Sequence, residues 1–286
     1  MLKKLIKYDF RSCWKKFRLL WAALLGLAVI TGILVGRAGL GLFGSQGKAA
    51  TPNAAAAGTV STIVFSCFMC AAVVVAVMYV CDEFYNGLLG SRGYLMFSLP
   101  VKTSSLILSK GIVAVLMETI SCITAVLSIF LMATFVDPGN MADVIRKIWQ
   151  AITTEDLLAH APRGLWLFLL ECVILFISTA ALFNAEIHAA ISLGHLAKKN
   201  RSAWALIIYF GLSALGTLIP IKLSDWGVTG SISKGIMRIS AGSTLFRPDM
   251  TESILLVLII ILGEAAAALV FYFVEKYVLE HRLNLE

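Results

Sequence analysis

Six stretches of this chain read as crossings of a lipid bilayer, and nothing else in the sequence constrains its fold as strongly. They fall at about 19–35, 59–80, 111–136, 165–182, 203–219 and 254–274. A crossing needs roughly 20 residues to cover about 30 Å of hydrocarbon. No water is present at that depth to satisfy backbone N–H and C=O groups, so such a segment must be helical. The expectation is an all-α membrane protein with six transmembrane helices in one membrane domain, 1–286. Composition agrees: 59% of the residues are hydrophobic and 14% charged, where a soluble domain carries about a quarter charged residues.

The formal net charge of +7 raises nucleic acid as a partner only for a soluble domain. Here the excess Lys and Arg reads as a topology signal. If both ends lie inside, fifteen of the 24 basic residues fall in inner segments, seven of them before residue 19. The expectation is therefore a multi-pass protein with both termini cytoplasmic and no nucleic-acid partner. The basic start, "MLKKLIKYDFRSCWKKFR", precedes the first apolar run by too many residues for a secretory signal peptide. Within it Leu2, Leu5, Ile6, Phe10, Cys13, Trp14 and Phe17 recur at helical spacing among the lysines. That is the pattern of a basic amphipathic helix over 1–18, lying in the inner headgroup layer and anchored by Leu5, Phe10, Trp14 and Phe17.

Three outer loops complete the reading. The first, about 36–58, is rich in Gly and Ala and reads as flexible. The second, about 137–163, holds "MADVIRKIWQAI", where Val144, Ile145, Ile148, Trp149 and Ile152 mark a short amphipathic helix. The third, about 220–252, holds "SISKGIMRIS", spaced for a short helix that dips back toward the bilayer. No separate soluble domain is expected.

Enzyme chemistry is not written here. The sequence has no G-x-x-x-x-G-K-[ST] phosphate loop, no H-E-x-x-H and no G-x-S-x-G elbow. His188, His195 and Glu186 flank one inner loop in a loose imitation of a metal site, but zinc ligands are spaced more tightly. Cys67 and Cys70 form a C-x-x-C inside a span, where small buried hydrophobes are the expectation. No metal, cofactor or catalytic residue is assigned to the chain.

Three features remain. Glu118, Glu171 and Glu264 each sit inside an apolar run. A charge at bilayer depth costs roughly 2.5–3.5 kcal/mol on insertion scales, so these acids face protein or water, as a polar path, a proton site or interhelical hydrogen bonds. Ala28, Gly32 and Gly36 repeat small residues every fourth position, a stripe suited to a dimer seam or to an internal helix contact. After the second span comes "DEFYNGLLGSRGYLMFSLPVKTSSLILSK". Tyr85, Leu88, Leu89, Tyr94, Leu95, Met96, Phe97 and Leu99 offer apolar area for a partner's groove. Pro100 then stops the helix before it, and Thr103 or Ser104 can cap the next one.

These residues resemble a known family. The basic amphipathic start "LIKYDFRSCWKKF", the six spans, the loop run Gly93-Tyr94-Leu95 followed by Leu99-Pro100-Val101 and Ser109-Lys110, and the later "AAISLGHLAKKNRS" are similar to permease subunits of type-2 ABC (ABC-2) exporters, in the form common in Gram-positive bacteria. The resemblance runs over nearly the full length. It implies a bacterial cytoplasmic-membrane protein that pairs with a second permease, as homodimer or heterodimer, and with two copies of a separate ATP-binding subunit holding ATP and Mg. It also implies a short cytoplasmic coupling helix between spans two and three, docked on that subunit through the loop named above, and outward movement of a peptide, drug or lipid. Two other classes remain open: a stand-alone proton-coupled transporter using Glu118 or Glu264, and a non-transporting membrane anchor or sensor.

Overall fold

The computed structural model describes residues 2–37, 52–90, 102–153, 165–197, 199–225 and 251–281. All of its regular structure is helical: α1 (Leu2–Arg37), α2 (Pro52–Phe84) closing in a π-helical turn (Tyr85–Leu89), α3 (Thr103–Val136), α4 (Pro138–Thr153), α5 (Leu165–Gly194), α6 (Arg201–Asp225) and α7 (Thr251–His281). Among the described residues five helices are long and apolar enough to cross a membrane: α1, α2, α3, α5 and α7. The apolar stretch described for α6, Arg201–Gly216, is shorter. The chain is therefore a multi-pass, membrane-embedded helical protein. Its large apolar side chains stand largely exposed along these helices, as with Val73 and Met78 on α2 and Leu262 and Val270 on α7. A soluble protein does not leave so much apolar surface uncovered.

Several boundaries differ from the sequence reading, and each for a local reason. The N-terminal amphipathic segment and the first span are one unbroken 36-residue helix, about 54 Å long at 1.5 Å per residue. No Gly or Pro occurs before Gly26, so nothing breaks it at residue 18. Its buried positions, Asp9, Cys13, Phe17, Trp21, Leu24, Ala28, Thr31, Gly32 and Val35, recur every three or four residues along the whole length. Phe17 is thus a core residue and not a lipid anchor, while Trp14 stays exposed and stacks on Phe10 at 5.6 Å. The second helix starts at Pro52, well before the span expected at 59. Pro is preorganised for a first helical position and the following alanines are the best helix formers, so the end of the supposed flexible loop is helix. Likewise α3 begins at Thr103, directly after Lys102, whose carbonyl accepts from the Ser105 N–H at 2.8 Å. Hydropathy reports the apolar run, whereas the helix continues until something breaks it. Residues 226–250 and the re-entrant segment expected there lie outside the described residues.

The chain divides into two compact units. One comprises Lys7–Val80 and Leu116–His160. Its core joins α1, α2 and α3 through Leu24, Ala28 and Phe65, with Leu27, Phe68, Met69, Ala125 and Met132 packed against them. The Trp21 indole N–H donates to Ser121 Oγ at 3.0 Å, which satisfies a buried donor between α1 and α3. The small-residue stripe is an internal contact of this unit. A Cβ at Gly32 would lie 2.7 Å from the Met132 carbonyl oxygen, and one at Gly36 2.7 Å from that of Phe135. Cys67 and Cys70 face outward on α2, so they are surface residues of a span and not buried ones.

The other unit comprises Met1–Ile6, Cys81–Val115 and Ala161–Glu286. Here α5 packs on both α6 and α7. The turn from α5 to α6 is tight. Asn200 adopts a left-handed φ of 55°, a conformation that Asn tolerates better than most residues, and its carbonyl accepts the Trp204 N–H at 3.2 Å to open α6. The return is so close that a Cβ at Gly194 would lie 2.6 Å from the Ala205 Cα.

Candidate functional site

The second unit's packed end is built where α2 stops. The N–H of Gly90 donates to the Tyr85 carbonyl at 2.7 Å, one residue wider than an α-helical bond, and this closes a π-helical turn. Such turns are rare and concentrate at functional positions. The turn drives Leu88 and Leu89 inward. With Phe84, Leu106, Ile107 and Leu279 they form a buried cluster, against which Leu5, Ile191 and Tyr272 pack. Leu88 and Leu89 are 0% and 5% exposed. They hold this chain together and offer no surface to a partner, which corrects the sequence reading of both. Tyr85, at the start of the turn, is exposed and meets the His195 ring edge-on at 6.2 Å. Tyr94, Leu95, Met96, Phe97, Leu99 and Pro100 lie outside the described residues.

Polar groups brace the same end. Lys110 Nζ pairs with Glu83 Oε1 at 3.2 Å, with side chains 5% and 14% exposed. This joins the last turn of α2 to the first turns of α3. The lysine passes directly over Gly87, where a Cβ would come within 2.9 Å of its Cε and Nζ. A side chain there would have to displace the end of that lysine. Phe84 stacks on the buried His188 of α5, with ring centroids 4.0 Å apart and planes 11° from parallel. His188 in turn accepts at its carbonyl from Ser192 at 2.7 Å. His195, in the turn after α5, is pushed below its ordinary histidine range by burial and by the nearby Arg201 guanidinium, so its ring is neutral at pH 7. On α7 the buried Glu275 keeps Oε1 without a hydrogen-bond partner among the described residues.

A separate polar site lies along the α5–α7 seam, at a depth where the flanking residues are apolar. The Ser178 hydroxyl contacts Glu264 Oε2, and Thr179 Oγ1 lies 2.9 and 3.1 Å from Glu264 Oε1 and Oε2. Each hydroxyl is also 2.9 Å from the Leu175 carbonyl. The hydroxyl protons therefore have two acceptors to choose between, the helix backbone or the carboxyl group. Glu171 lies seven residues before Ser178 on the same helix, about 10 Å away along it. It is buried, and its Oε2 finds no partner among the described residues. Glu118 belongs to α3 in the first unit and is half-buried.

Sequence reasoning found Glu264 but missed its partners, and it missed the Glu83–Lys110 pair and Glu275; it singled out His188 but not its stacking on Phe84. One signal was available for the pair: opposite charges close the second apolar run and open the third. Glu275 sits in "VEKYVLEH", which reads as a solvated tail until α7 is seen to continue to His281. Among the described residues no group of His, Cys, Asp and Glu is placed to hold a metal, and Glu186, His188 and His195 do not gather into one. Comparison with protein-family models, with curated proteins and with solved structures returns no match.

Proposed function

We propose that the chain is the membrane-spanning permease subunit of an ATP-driven ABC exporter. In this reading α6 is the sixth span, both termini are cytoplasmic, and the membrane is the bacterial cytoplasmic membrane. A second permease completes the translocation path, and two ATP-binding subunits supply ATP and Mg chemistry that this sequence, with no phosphate loop, does not encode. The cargo is an antimicrobial peptide, a drug or a lipid.

The observation that carries the reading is the braced junction between α2 and α3. Segment 91–101 leaves from a turn whose Leu88 and Leu89 are locked in core and returns into a helix tied back by Lys110 to Glu83. A push on that segment is delivered to α2 and α3 together, and through Leu279 to α7. Packed elements transmit such a push because they are nearly incompressible. Residues Tyr85, Tyr94, Leu95, Met96, Phe97, Leu99 and Pro100 form the docking surface in this proposal. The test is affinity capture of the tagged chain from its native membrane. A co-purifying subunit bearing a phosphate loop is expected, and it should be lost when Tyr94, Met96 or Phe97 is changed to Asp. Undiminished capture by those variants would remove the docking surface.

One observation favours a second reading, a stand-alone proton-coupled transporter: the Glu264 carboxyl meets two hydroxyls that can serve it as either donors or acceptors. That reading requires uptake or efflux driven by a pH gradient in liposomes holding this chain alone. A silent chain under a sustained gradient would dismiss it.

A further inference from the structure

We propose that α4 is a membrane-surface helix whose apolar face sits in the headgroup–acyl boundary of the bilayer at the end of α3. The inference is independent of the exporter reading and rests on three observations.

First, α4 shows two faces. Met141, Val144, Ile145 and Trp149 recur at three- and four-residue intervals, with Asp143 and Arg146 on the other side. The apolar residues stand exposed along the helix: Val144, Ile145 and Trp149 are 44%, 45% and 67% exposed. A helix that leaves such a stripe uncovered requires an apolar surface to place it against. Second, the helix has 16 residues, about 24 Å at 1.5 Å per residue, which is too short to be a further crossing of about 30 Å. Third, its position is fixed by connectivity. Asp137 alone separates α4 from α3, a helix long and apolar enough to span the membrane. The Asp137 N–H closes α3 on the Ala133 carbonyl at 3.2 Å, and the Asp137 carbonyl accepts the Met141 N–H at 3.1 Å to open α4. One residue ends one helix and starts the next, so no slack carries α4 away from the place where α3 leaves the hydrocarbon.

The occupant of the apolar face is therefore the surface already there. Trp is enriched at this depth because its ring is apolar and its N–H is not. An apolar stripe backed by a charged face is the pattern of helices that lie about 5–10 Å into the boundary region. With α4 seated this way, the end of α3 gains a lateral anchor that resists its sliding along the membrane normal.

The test uses the full chain in liposomes. An environment-sensitive fluorophore is placed through Ile145→Cys, and in a second sample through Asp143→Cys, after replacement of the native cysteines. The label at 145 is expected to be several-fold less accessible to aqueous iodide than the label at 143, and to be quenched by lipids brominated near the glycerol. Neither property should change as protein is diluted in lipid. Equal iodide access at both positions would mean that the helix stands in water. Shielding at 145 that vanishes on dilution would mean that a second copy of the chain covers the face. Either result overturns the proposal. If replacing the cysteines prevents folding, the native chain serves instead. Its Trp emission should be quenched by the same shallow brominated lipids, and Trp149→Phe should remove a distinct part of that quenching. Identical quenching in the variant also overturns the proposal.

Discussion

Gly32→Ala isolates what the small-residue stripe does, because the same helix supplies its own control. At Gly32 a Cβ would lie 2.7 Å from the Met132 carbonyl oxygen, 2.7 Å from Phe135 Cβ and 3.3 Å from Met132 Cα. Carbon atoms in good contact stand about 3.5–4.0 Å apart, so α1 and α3 must part by about 1 Å. Two of these three obstacles are backbone atoms of a helix, which cannot swing aside as a side-chain tip would. Overpacking of this kind costs about 1–3 kcal/mol, and the immovable neighbours put Gly32 toward the upper end. Against this, Ala is the better helix former by about 1 kcal/mol. The net expectation is a loss of about 1–2 kcal/mol. At Gly26, six residues earlier, nothing lies within 4 Å of the added Cβ. Only the propensity gain applies there, so Gly26→Ala should be neutral or stabilising by up to about 1 kcal/mol. Equilibrium unfolding of both variants in one bilayer mimetic should separate them by about 1–3 kcal/mol. If Gly32→Ala proves as stable as Gly26→Ala, the close approach of α1 and α3 is wrong. Gly36→Ala should share the penalty without adding to it in full, since Gly32 and Gly36 both meet Phe135 and the first substitution already parts the helices.

Two further outcomes follow from the packed end of the second unit. Lys110→Met should cost up to about 3–5 kcal/mol in the same unfolding measurement, because it removes the cation paired with a largely buried Glu83 carboxylate, and adding Glu83→Gln should recover much of that loss. His195 gives a pH dependence. Burial and Arg201 both disfavour its charged form in the folded chain, so below about pH 6.5 the unfolded chain binds more protons and stability falls as pH falls. His195→Gln should flatten that slope in unfolding profiles between about pH 5 and 7, and an unchanged slope would show that another group carries it.

How much of this was legible beforehand depends on which physical effect each residue obeys. The spans were legible because bilayer thickness leaves few solutions, and five of the six expected runs lie in helices long and apolar enough to cross. Their ends were not, because hydropathy fades before the helix does: α5 continues past 182 to Gly194 and so carries His188 into the core. Glu264 was legible as an anomaly, since acids are rare at that depth, but its hydroxyl partners on α5 required the α5–α7 pairing that no single sequence displays.

Leu88 and Leu89 are the sharper case. A leucine pair beside glycines at a span's end satisfies equally the demand of a partner's groove and of the chain's own core. What separates the two is whether the protein already fills the space around the pair. Here Leu279 on α7 and Leu106 on α3 fill it, and neither neighbour is near in sequence to the pair. That choice has a mechanical consequence for the exporter reading. Had the pair been exposed, a partner would have gripped the turn itself. Because the turn is core, a partner in that reading would act on Tyr85 or on the segment beyond Gly90 and not on the two leucines. The π-helical turn then becomes the fixed base of a lever rather than its handle. On that basis Leu88→Ala should loosen α2 from α7, where truncation of a buried leucine costs about 2–5 kcal/mol, and should weaken partner capture only as far as it lowers the amount of folded chain.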